Sequence, residues 1–186
     1  MHTTTGKKLL TSAEYIQLFE RGILTDRDRV ELIEGEVVEK MTINAPHAGR
    51  VSRVVKLFVR LFGDRAVVTS QSPVLLTDLS VPEPDFSILR YRDDFYEARL
   101  PTLQDVLLLV EVADTSLAFD RGRKMRVYAA AGVLEYWLVN LPENVLTVYR
   151  DAGPGGYGQV VTLRRGDHIA PTAFPDLELA VGDLVP

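Results

Sequence analysis

The chain has 186 residues, 46% of them hydrophobic and 25% charged, with a formal net charge of -5 and a pI of about 5.3. This is the composition of a globular protein with a sizeable core, and it excludes a disordered chain and a basic, non-specific coat for nucleic acid. The absence of cysteine excludes disulfides, thiolate metal centres and cysteine nucleophiles, and it fits a reducing, cytoplasmic setting.

Residues 1–10 hold no apolar signal-peptide core and are expected to form a loose N-terminus. The spacing of Tyr15, Leu18 and Phe19 predicts a helix over 11–20, with Ser12 as its cap. Val30-Glu31-Leu32-Ile33 and Glu36-Val37-Val38-Glu39, joined by Glu34-Gly35, read as a β-hairpin. Asn44-Ala45-Pro46 ends that hairpin. A helix over 47–62 follows, with Val51, Val54, Val55, Phe58 and Phe62 on one face and Arg50, Arg53, Lys56 and Arg60 on the other. Gly63-Asp64 closes it.

Strands are predicted over 66–69, 73–76 and 86–89, and the charged stretch 90–105 reads as a loop. Residues 106–112 form the most apolar strand, expected at the centre of a sheet and far too short to span a bilayer. Asp120 caps a predicted helix over 121–131, closed by Gly132. Residues 135–139 and 145–149 flank a Pro142-Glu143-Asn144 turn as a second hairpin. Residues 153–158 read as a flexible loop, 160–163 as a short strand, and the tail around Phe174 to Leu179 as surface. No repeat or linker divides the chain. The expectation is one α/β domain over 1–186, a mixed sheet with a helix before and a helix after its central strands.

Three residues converge on one chemistry. Asp85 follows a proline at the mouth of a strand, and Glu111 sits within the apolar strand, where a charge is costly unless paired or metal-bound. Lys124 follows on the next helix. Two carboxylates at adjacent strand ends can share Mg²⁺ (Mn²⁺ accepts the same ligands), and a lysine can orient or activate a water. His47 is a candidate for proton transfer or support of an acid, and Glu31 for a third carboxylate. Arg50, Arg53, Arg121, Arg123 and Arg126 are candidates for phosphate contacts, with Tyr128 at the rim; the alternative for these residues is an ordinary solvated helix face, or packing for Tyr128. No dinucleotide fingerprint, Walker loop, H-E-x-x-H or G-x-S-x-G is present, so no organic cofactor is expected.

The ordered set Leu32-Ile33-Glu34-Gly35-Glu36, His47, Pro82-Glu83-Pro84-Asp85, Val110-Glu111-Val112, Ser116 to Lys124 and Tyr128 to Val139 resembles the Uma2 family, also called DUF820, within the PD-(D/E)xK restriction-endonuclease-like superfamily. The resemblance implies a mixed central sheet flanked by helices, with an added N-terminal hairpin and a C-terminal hairpin extension. It implies an endonuclease in which Asp85 and Glu111 hold the metal, DNA as the partner, and a homodimer. The superfamily pattern places a lysine two residues after the second acid. Here that position is Ala113, and the resemblance implies that the lysine's place is taken by Lys124 on the following helix. Two other functions remain open on the sequence: a non-catalytic nucleic-acid-binding or regulatory module, and a homodimeric interaction protein of the same fold.

Overall fold

The computed structural model describes residues 8–41 and 44–185. The first helix, α1 (Ser12–Glu20), has its cap one residue earlier than expected: Thr11, not Ser12, caps it, and Thr11 and Glu14 form a reciprocal capping box. The expected loose N-terminus lies mainly outside the described residues. Leu10 is already tied down, its amide donating to the Gly35 carbonyl at 2.9 Å. Strands β1 (Val30–Ile33) and β2 (Glu36–Glu39) pair antiparallel as expected.

Helix α2 (Ala45–Phe62) also starts earlier than its apolar stripe suggested. Asn44 does not merely stop the hairpin; its side chain accepts the His47 amide at 3.0 Å and caps α2, with proline in the first turn. That cap fixes His47 at the helix entrance.

The main sheet runs β3 (Ala66–Ser70), β4 (Phe86–Arg90), β5 (Val106–Ala113), β6 (Glu135–Asn140), β7 (Val145–Gly153) and β8 (Gly156–Arg164), in that spatial order. Only β5 and β6 are parallel. A parallel pair requires a crossover, and the helical segment over 117–131, here α3, supplies it. A short β9 (His168–Ile169) and β10 (Leu179–Ala180) pair beside it. The predicted strand at 73–76 makes only an isolated bridge, at Leu75.

Period-two alternation sends β5 side chains to two cores. Leu108, Val110 and Val112 meet the α2 face, where Val54, Phe58 and Phe62 are fully covered. Each of those large α2 side chains contributes roughly 1.5–3 kcal/mol of burial. Leu109 and Ala113 face α3, with Val127, Tyr128, Tyr136 and Leu138. Glu111 shares that second face by parity.

Three expectations give way. Residues 153–158 are the tip of the long β7–β8 hairpin rather than a flexible loop. Phe174 and Leu179 are buried against the α2 core rather than lying on the surface. Asp120 caps nothing: α3 begins with an α-turn, Leu117–Phe119, passes through a π-helical turn, Asp120–Lys124, and resumes as α-helix over Met125–Ala131.

Candidate active site

Sheet register brings the two acids together. In β4 and β5, Phe86 pairs with Val110, so one step further Asp85 lies across from Glu111. The backbone closes the match: the Asp85 amide donates to Glu111 Oε2 at 3.2 Å, and the Val112 amide donates to Asp85 Oδ2 at 2.8 Å. The other oxygen of Asp85, Oδ1, faces His47 Nε2 at 3.1 Å and accepts from Gln71 Nε2 at 3.3 Å.

The crossover then carries Lys124 over the end of β5. Its Nζ lies 3.0 Å from Glu111 Oε1 and 3.1 Å from Glu31 Oε2, with only 5% of the residue exposed. Tyr128, one turn on, donates to the same Glu111 oxygen at 2.7 Å. Glu31 comes from β1, and its Oε2 also accepts the Glu83 amide at 3.0 Å. Lys40 of the same hairpin forms an ion pair with Glu83. The N-terminal hairpin is thus wired to the Pro-Asp turn and to the crossover lysine.

Burial sets the electrostatics. It pushes the Glu111 carboxyl up to about 8, against the opposing charge of Lys124, and it pushes Asp120 up to about 6. Asp120 is held by Ser116 Oγ at 2.5 Å. Burial would raise Asp85 too, but the hydrogen bond and charge of His47 and the Val112 amide outweigh it and hold Asp85 low. The same hydrogen bond raises His47. Burial alone would discharge Lys124; Glu111, Glu31 and Asp120 reverse this and keep it an ammonium.

A cavity of about 820 Å³ opens over these groups, and carboxylate residues outnumber lysines and arginines on its lining by eight to three. That excess repels a phosphate and attracts a cation. The oxygen donors of Asp85 and Glu111 suit Mg²⁺, which needs only one or two carboxylates and keeps its waters. Among the described residues no group of three or more histidine or carboxylate side chains is arranged to hold a metal ion. A cation there would have at most the two carboxylates of Asp85 and Glu111 as protein ligands, with water and substrate completing its shell.

The expected catalytic set, Asp85, Glu111, Lys124, His47 and Glu31, lies together. The expected nucleic-acid set does not. Tyr128 is fully buried beneath Glu111 and cannot reach a polymer. Arg123 is held by Glu34, Glu36 and the Ile33 carbonyl. Arg121 is paired with Glu143, and Arg50 donates to the Val185 carbonyl. Arg53 and Arg126 are exposed and form no ion pair among the described residues. Sequence reasoning missed Gln71, which carried no signal. It also missed Asp120 as a site residue, although the four-residue spacing of Asp120, Lys124 and Tyr128 places them on one helix face.

Two acids on adjacent strand ends and a lysine from the crossover helix, on a mixed sheet between helices, form the arrangement that the sequence resemblance implied. The chain belongs to the Uma2 family, described as "Putative restriction endonuclease", which matches residues 13–182. Among solved structures it is similar to a protein from Anabaena variabilis described as "a putative nuclease belonging to DUF820", with a TM-score of 0.74 over 94% of this chain and 97% of that one. At 17% identity that likeness is one of fold. No curated protein matches the chain. Among the described residues no helix is long and apolar enough to cross a membrane.

Proposed function

We propose that the protein is a metal-dependent endonuclease that hydrolyses phosphodiester bonds in DNA. One observation carries the reading: a buried ammonium, Lys124 Nζ, sits 3.0 Å from Glu111, which is itself bonded to the backbone of Asp85. Bound between Asp85 and Glu111, Mg²⁺ or Mn²⁺ would supply Lewis-acid charge at the phosphate and acidify a water. Lys124 offers a fixed positive charge where phosphate charge develops and a donor that orients the attacking water. Glu31 takes one of its other protons and so sets its direction. His47 and Gln71 steady Asp85, and Tyr128 steadies Glu111. Of the five arginines expected at a nucleic-acid backbone, Arg53 and Arg126 remain available to meet the DNA.

The test is cleavage of labelled DNA with Mg²⁺ and with chelator, using Asp85→Asn, Glu111→Gln and Lys124→Met in parallel. Each variant is expected to lose roughly 10²–10⁴-fold in rate. Cleavage retained by all three would refute the reading. A second reading, a binding module without catalysis, draws on the fact that both carboxylates already have protein donors on each oxygen. Calorimetry separates the two, since a module of that kind takes up no divalent ion with DNA present. The proposed homodimer would use the β8 edge, where Val160 is 54% and Val161 40% exposed; sedimentation of Val160→Lys tests it.

A further inference from the structure

Resting on the nuclease reading, we infer that the cavity receives one unpaired nucleotide of a DNA strand, its base against Phe19 and Phe119 and its phosphate at Asp85 and Glu111, and that intact duplex is excluded. Asp85 is 8% and Glu111 3% exposed, so the phosphate has to come down to them. The cavity of about 820 Å³ has the volume of a sphere about 12 Å across. The major groove of duplex DNA alone is about 12 Å wide, so a whole duplex does not fit within that volume. A single nucleotide fits easily, since pockets of roughly 300–1,000 Å³ enclose ligands of that size.

The walls match an unstacked base better than a backbone. Ile16 and Phe19 of α1, Val38 and Met41 around the hairpin, Leu100, and Phe119 of α3 are among the apolar side chains that line the cavity. All six residues are partly or fully exposed to solvent. These side chains offer a sugar or a phosphate no polar partner, whereas an aromatic ring stacks on any base. The arginines suited to tracking a duplex, Arg50, Arg53, Arg121, Arg123 and Arg126, are all absent from the cavity lining. Phosphate reaches the floor only as part of a strand whose base is drawn in beside it.

The experiment uses the full chain and a short single-stranded DNA oligonucleotide carrying 2-aminopurine, with Ca²⁺ in place of Mg²⁺ and the blunt duplex of the same sequence beside it. The expected result is a quenched probe, with affinity for the single strand at least about tenfold above that for duplex. Phe19→Leu is expected to weaken single-strand binding by roughly 5- to 150-fold, the range of one lost base stack. Phe119→Leu serves if Phe19→Leu does not fold, as judged by circular dichroism. Equal affinity for duplex, an unquenched probe, or a folded phenylalanine variant that binds as the wild type does would each overturn the inference. A Mg²⁺ arm separates it from the nuclease reading. Cleavage inside blunt duplex at the single-strand rate keeps the nuclease and removes the pocket; quenching without cleavage of any substrate keeps the pocket and removes the nuclease.

Discussion

Replacing Lys124 with methionine keeps the side-chain length and deletes the charge at the centre of the site. The ammonium is 5% exposed and lies 3.0 Å from Glu111 and 3.1 Å from Glu31, with Asp120 also acting on it. Removing one partner of a buried charge set costs about 3–5 kcal/mol. A chain of this size loses roughly 2–4 °C of Tm per kcal/mol, so a fall of about 6–20 °C is expected. The loss should depend on pH. Glu111 and Asp120 already have folded-state pKa values raised to about 8 and about 6, and without Lys124 both rise further. A group whose pKa is raised on folding is well tolerated below its unfolded value, and it erodes stability as pH climbs through the folded one. The variant should therefore lie closest to wild type near pH 5, fall behind as pH passes about 6, where Asp120 ionises in the wild type, and fall further behind at pH 8 and above, where Glu111 does so too. Urea unfolding at both pH values measures this, and a cycle with Glu31→Gln should show a coupling of about 0.5–3 kcal/mol. A penalty under about 1 kcal/mol at pH 8, or one that does not change with pH, would refute the argument.

Tyr128→Phe keeps the edge-on contact with Tyr136, 5.1 Å between ring centres, and loses the hydroxyl donated to Glu111; a stability loss of about 1.5–3 kcal/mol is expected from urea unfolding. Glu135 is fully buried away from the cavity and accepts from Trp137 Nε1 at 2.8 Å, Arg150 Nε at 2.8 Å and the Thr172 amide at 2.6 Å. Glu135→Gln should cost about 3–5 kcal/mol in melting experiments while leaving DNA binding by the folded protein unchanged. Arg99 and the Thr102 amide hold the Asp105 carboxyl well below the usual carboxylate range. Its contribution is therefore complete above about pH 4 and is lost as pH falls below it. Asp105→Asn should be less stable at pH 7 by about 1–2 kcal/mol, and the gap to wild type should close in acid-unfolding curves.

Much of this arrangement was legible because burial writes a pattern. The run over 106–112 with Glu111 inside it announced an apolar strand that carries a costly charge, and Pro84-Asp85 marked the mouth of its neighbour. The capping of α2 was hidden because Asn44-Ala45-Pro46 serves equally as a stop signal. Asp120 looked like a cap for the same reason: an aspartate ahead of helical spacing usually is one. The β7–β8 hairpin was cut short because most of β8 is exposed, so no alternation distinguishes strand from loop. Arg123 looked free because its partners, Glu34 and Glu36, lie some 90 residues earlier. Contacts at that separation leave no local trace.

The π-helical turn at Asp120–Lys124 holds one residue more than a regular turn. Only part of its spelling is loosely constrained: Arg121 is exposed and a Cβ at Gly122 would meet nothing closer than 3.9 Å, whereas Asp120 and Lys124 are buried. Its length is another matter. Deleting a single position would let the segment relax to 3.6 residues per turn and swing everything before it by about 100° relative to everything after. Asp120 and Tyr128 would then part company across the helix, so at Arg121 and Gly122 this stretch tolerates misspelling far better than abridgement.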